Sequence, residues 1–179
     1  LMDDNDRSVV TVIKGKPGTG KTILALEMAM KTFPNSYYVT TRISAETMIN
    51  MYSWVKQLSI DKKELPFFID ATKSRFSQKD ESTKFRFNFD TIAEFVKRLL
   101  ELSTVRPSTT IVIDSWNALT NDLSEKETSH WESVIIKNLK ENRSRLIFII
   151  EGEKDVSIDW LADIIILSLI HISEPTRPL

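Results

Sequence analysis

The chain has 179 residues, 41% hydrophobic and 27% charged, with 24 Lys and Arg against 25 Asp and Glu for a net charge of -1. Such a chain forms one globular domain with a continuous core, and its balanced charge excludes a global basic field for nucleic acid. Zero cysteines exclude disulfides, thiolate metal sites and a cysteine nucleophile, which fits a reducing compartment.

No apolar stretch approaches the roughly 18 residues of a membrane span. Residues 1–6 are acidic and lack the apolar core of a secretory signal, so the expected location is the cytoplasm, with no membrane partner. The first apolar run, residues 9–14, alternates little and predicts a buried strand. It leads into Gly15, Lys16, Pro17, Gly18, Thr19, Gly20, Lys21 and Thr22, a complete P-loop (Walker A) pattern. Three of the chain's four glycines lie there, where they let the backbone turn tightly and aim successive N–H groups inward. The helix expected from Thr22 to about Thr32 adds the positive end of its dipole. Lys21 is then a candidate for the β- and γ-phosphates, and the Thr22 hydroxyl a candidate Mg²⁺ ligand.

Beyond the break at Pro34 and Asn35, residues 37–41 are β-branched and aromatic and predict strand two. Ser44 and Thr47 precede a helix with Met48, Met51, Tyr52 and Val55 on one face. Residues 66–70 form a short apolar strand, and 71–82 a polar, charge-rich stretch expected to be a mobile loop, followed by the Phe-rich residues 85–89. Its Lys, Arg and Phe content leaves a nucleic-acid strand as one reading, against a solvated loop with anchoring aromatics. Asp90 is expected to cap a helix reaching Ser103, with Ile92, Phe95, Val96, Leu99 and Leu100 at helical spacing.

Residues 110–114 form a buried strand ending in Asp114, the Walker B pattern. An acid at the carboxyl edge of such a strand stands where open α/β sheets bind ligands, opposite Thr22, and would hold the Mg²⁺ shell. A helix from Ser124 to about Asn142 with Trp131, Val134, Ile135 and Leu139 inward, then strands at 145–150 and 161–167, complete the pattern. Strands alternating with helices predict a three-layer α/β/α domain with a mostly parallel sheet. Trp116 follows the second motif, either near the nucleotide or in the core; His130 and His171 lack metal-ligand partners.

The string Asp114-Ser115-Trp116-Asn117-Ala118-Leu119 resembles the Asp-Ser-x-x-Ala-Leu signature of RecA-like ATPases of the KaiC and RadA group. Residues 15–22, 67–70, 90–102 and 161–163 also fall in that family's order, and residues 38–44 are similar to the branch containing the P-loop domain of the archaeal gas-vesicle regulator D. The resemblance implies a RecA-like core, ATP and Mg²⁺ as ligands, assembly with further copies or a partner protein, and roles in signalling, regulation or recombination. Slow hydrolysis is the leading expectation. A non-hydrolysing ATP sensor and a DNA-recombination ATPase are the alternatives.

The family carries glutamates just after the second strand to polarise water, whereas this chain has Thr41 and Arg42. Glu46 could substitute as a catalytic carboxylate or be a solvated cap. Glu151 falls in the region where the family places a phosphate-sensing polar residue, and Ser115 is expected to support the acid. Arg42 is read as a contact to phosphate or to a neighbouring subunit, with a surface ion pair as the default. The domain is expected to span residues 1–167 and to be truncated, with 168–179 a non-native tail containing two prolines.

Overall fold

The computed structural model describes residues 8–32, 34–52, 54, 67–72, 87, 89–153 and 156–169. The stretch 73–86 with its nucleic-acid reading, Val55, and the expected tail beyond 169 lie outside the described residues.

Six strands, β1 (Val10–Gly15), β2 (Ser36–Thr40), β3 (Phe67–Asp70), β4 (Thr110–Asp114), β5 (Arg145–Glu151) and β6 (Ile164–Leu167), form one sheet in the order β3-β2-β4-β5-β1-β6. Every pairing within it is parallel. The strands are Val- and Ile-rich with few polar interruptions because both sheet faces are covered. Alternate side chains go to opposite faces. Val10, Val12, Ile111 and Ile113 join a core with Phe95, Leu99, Ile135 and Leu139. Ile13, Tyr38, Val112 and Ile149 face the other way, against Ala25, Leu26, Ala29 and Met48.

The helices divide accordingly. On one face lie α1 (Lys21–Lys31) and α2 (Ala45–Met51); on the other lie α3 (Ile92–Val105), the short α4 (Trp116–Thr120) and α5 (Glu125–Glu141). This is the three-layer α/β/α architecture. No described helix is long and apolar enough to cross a membrane.

Local chemistry sets the helix starts. Ser44 Oγ accepts the Thr47 amide at 3.1 Å, and Ser124 with Glu127 forms a reciprocal capping box. The α3 cap is Thr91, whose hydroxyl accepts from Glu94 N at 3.3 Å, and not Asp90. Asp90 instead donates its own amide to the Glu94 carboxylate at 2.8 Å, so the acid three residues on selects the threonine.

The buried stripe of α5 is Glu132, Ile135, Ile136 and Leu139, which leaves Trp131 and Val134 half-buried. Met51 is 62% exposed rather than inward, because α2 ends there after two turns. The last strand begins at Ile164, three residues later than its apolar run, since a 3₁₀ turn at Ser157–Trp160 occupies the approach.

Candidate nucleotide site

Parallel pairing brings the carboxyl ends of β2, β4, β5 and β1 to one edge of the sheet, and the site is built there. The chain leaves β1 at Gly15 and enters α1 at Lys21, with Gly20 as N-cap at φ 88°. Glycine adopts that left-handed conformation without strain. It also supplies no capping side chain, so the first-turn amides of α1 have no side-chain acceptor. Unclaimed amides at the positive end of an 11-residue helix make an anion site.

Gly15 is required by close approach. A Cβ there would stand 2.3 Å from the Ser168 carbonyl oxygen and 3.0 Å from Thr19 Oγ1. Ser168 also donates its hydroxyl to Thr19 O and its amide to Lys14 O, which ties the segment after β6 to the P-loop. Gly15→Ala is therefore expected to cost about 1–3 kcal/mol through overpacking. Calorimetry should record a Tm lower by roughly 3–10 °C, and an unchanged Tm would contradict the close packing.

Lys21 is 6% exposed, and its ammonium donates to Gly15 O at 2.8 Å and Lys16 O at 2.7 Å. Burial lowers its pKa; the Asp114 charge opposes this and the Arg42 charge adds to it. The group is thus held over the loop that cradles phosphate.

Asp114, at the end of β4, accepts two hydrogen bonds on Oδ2, from Tyr38 Oη at 2.7 Å and Thr22 Oγ1 at 2.9 Å. Burial raises its pKa, while those two hydroxyls and the Arg42 and Lys21 charges pull it down. The Tyr38 phenol is pushed well above its ordinary value by burial, so it is a donor. The peptide bond from Asp114 to Ser115 is cis. Just beyond β2, Thr41 donates its amide to Asp114 O and its hydroxyl to Ser115 O, both at 2.8 Å. The loop after β2 is thereby fixed to the acid's own backbone.

A cleft of about 330 Å³ is lined by Pro17, Gly18, Gly20, Lys21, Thr22, Ile23, Arg42, Tyr52, Asp114, Ile149 and Glu151. The structure thus gathers the P-loop, Thr22, Asp114 and Glu151 in one place. Glu151 forms an ion pair with Arg42 across its mouth. Glu46 is exposed in the first turn of α2 and is not among the lining residues. The Ser115 hydroxyl is buried and has no hydrogen-bond partner among the described residues; the support of Asp114 comes from Tyr38 and Thr22.

The donor set suits Mg²⁺. Its octahedral shell is completed largely by water and phosphate oxygens, so one carboxylate and one hydroxyl suffice. Asp114 and Thr22 provide these two hard oxygens within hydrogen-bond distance of each other. Among the described residues no group of three or more His, Cys, Asp or Glu is placed to hold a metal ion.

The family model of the GvpD gas vesicle protein, P-loop domain, matches residues 2–178. The chain belongs to the GvpD P-loop family. No curated protein matches the chain. As a GvpD-type P-loop domain it is a nucleotide-binding fold.

Three buried polar groups of this GvpD-type domain were not legible in its sequence, one of them at the site itself. Tyr38 points from β2 onto Asp114, although its phenol in a β-branched run reads as core packing alone. Lys14, one residue before the P-loop, is buried and pairs with Asp159 at 2.5 Å. Glu132, 1% exposed, accepts Trp116 Nε1–H at 2.9 Å and the Ser157 hydroxyl at 2.6 Å, which places Trp116 in the core. The detectable signal was Glu132 itself: it stands three, four and seven residues before Ile135, Ile136 and Leu139, a charge at the head of an apolar stripe.

Proposed function

We propose that the domain binds ATP with Mg²⁺ in this cleft and hydrolyses it slowly in the service of signalling or regulation. The observation that carries the reading is the Thr22–Asp114 contact beside Lys21, which joins the two halves of the nucleotide motif at one point. The α1 amides and the Lys21 ammonium hold phosphate charge in fixed positions, and Thr22 and Asp114 hold the metal. Mg²⁺ when bound supplies Lewis-acid neutralisation of the phosphate oxygens. Glu151 is the second carboxylate lining the cleft, and it orients an attacking water only when released from Arg42.

Turnover is slow on this reading because Thr41 and Arg42 stand where the family carries its water-polarising glutamates. The same pair favours the second reading, a sensor that binds ATP without hydrolysing it. Phosphate release by wild type and Lys21→Ala decides between them. Slow Mg²⁺-dependent release lost in the variant supports the ATPase; saturable binding with equal background release selects the sensor.

Assembly with further copies belongs to the same proposal. Edge strand β6 exposes Ile164, Ile165 and Leu167, and Trp160 beside it is 88% exposed, an apolar surface of the kind that subunits cover. Light scattering with and without ATP tests this: a larger mass in either condition is expected, and a monomer in both contradicts it.

A further inference from the structure

We propose that the Arg42–Glu151 pair selects triphosphate over diphosphate: Arg42 leaves Glu151 for the terminal phosphate of a bound triphosphate and stays on Glu151 when only a diphosphate is present. This rests on the nucleotide site assigned above.

The backbones of both partners are fixed. Arg42 follows Thr41, which is hydrogen-bonded to the Asp114 and Ser115 carbonyls. Glu151 ends β5 in register with Gly15, donates its amide to Asn117 Oδ1 at 2.7 Å, and precedes Gly152, whose amide donates to Gly15 O at 3.0 Å. The anchors therefore tie one partner to the acid at the end of β4 and the other to the P-loop. Only the side chains are left to rearrange.

The side chains themselves are lightly held. Arg42 is 52% exposed and Glu151 31%, and an ion pair this open contributes only about 0–1 kcal/mol. Exchange for a better acceptor is therefore cheap. A terminal phosphate is such an acceptor, since it carries more charge than a carboxylate and meets the guanidinium fork with two parallel hydrogen bonds.

The position is right as well. Arg42 lines the same cleft as Lys21, Thr22 and Asp114. Its charge lowers the pKa of both Lys21 and Asp114, so its field already covers the phosphate subsite. Glu151 has the opposite influence: a carboxylate on the cleft wall repels an incoming phosphate unless a cation stands between them. A lysine at 42 would carry the charge without the fork, so the geometry assigns the selectivity to arginine.

Calorimetric titration of wild type, Arg42→Ala and Glu151→Gln with Mg²⁺-ADP and with the β,γ-imido analogue of ATP tests the inference. Wild type should prefer the triphosphate analogue. Arg42→Ala should bind that analogue about tenfold more weakly, with a clearly smaller loss for ADP from the unmasked Glu151 charge. Glu151→Gln should bind it several-fold more tightly by removing the competing partner. Melting curves of both variants should overlay wild type, because neither side chain is buried. Equal effects of Arg42→Ala on both nucleotides, or none on either, overturn the inference while leaving the site intact. Wild type binding neither nucleotide overturns the site and this inference together.

Discussion

Replacing Lys21 by Ala is expected to weaken nucleoside triphosphate binding about a hundredfold while leaving the chain folded. Hydrogen bonds to charged partners contribute about 1.5–3 kcal/mol, and 1.4 kcal/mol is a factor of ten in affinity. Lys21 is positioned for more than one such bond. The residue is 6% exposed and is the first of α1, where the helix dipole reinforces its charge. The folded state loses little, since among the described residues Lys21 bonds to the Gly15 and Lys16 carbonyls of its own loop. Equilibrium titration with a fluorescent ATP analogue, paired with a melting curve, checks both halves. An affinity within threefold of wild type would show that the P-loop lysine does not hold the phosphates.

The second large effect concerns stability. Trp116 is 2% exposed, packs edge-on against Phe148 with ring centroids 5.5 Å apart, and donates Nε1–H to Glu132. Trp116→Ala should cost about 3–5 kcal/mol through the cavity it leaves, a large share of a typical stability of about 5–15 kcal/mol. Glu132→Ala strands the indole N–H and the Ser157 hydroxyl in the core and should cost about 2–3 kcal/mol. Glu132→Gln keeps an acceptor for Trp116 and a partner for Ser157, and should be at least as stable as wild type at neutral pH.

That last expectation follows from charge. Burial raises the Glu132 pKa, with the nearby Asp159 charge adding to it and the two hydrogen bonds opposing. A carboxyl raised in the folded state gives its full stabilisation below the unfolded-state value of about 4.3. That stabilisation is lost as pH rises through the folded value. Wild type should therefore lose stability relative to Glu132→Gln between mildly acidic and neutral pH. Urea unfolding at a series of pH values measures the difference; parallel curves for the two proteins would contradict it.

The parts of the fold and site that were legible in the sequence are those encoded by neighbours along the chain. The P-loop was readable because eight consecutive residues carry its chemistry between an apolar strand and a helix. The acid at 114 was readable from the buried run before it, and the α/β/α class from alternating periods. Cap positions were partly legible: Ser44 and Ser124 stood out, while Asp90 and Thr91 are both good caps and only the placement of Glu94 separates them.

What stayed hidden is set by pairing between strands far apart in sequence. Tyr38 reaches Asp114 across 76 residues because β2 lies beside β4, with Thr40 in register with Asp114. Arg42 meets Glu151 because the ends of β2 and β5 emerge at the same sheet edge. The candidate acid at Glu46 drew on chain proximity to the missing glutamates, yet α2 begins at Ala45 and carries Glu46 on its exposed side. Lys14 and Asp159 illustrate the same limit, as their partnership depends on a 3₁₀ turn that no periodicity announces.

We read the cleft at the edge of β1 and β4 as a Mg²⁺-nucleoside triphosphate site. Isothermal titration of wild-type protein with ATP, in Mg²⁺ and again in excess chelator, tests it most directly. Saturable binding of one nucleotide per chain is expected, weakened at least tenfold when the metal is removed. Heat of dilution alone, with Mg²⁺ present, would contradict it.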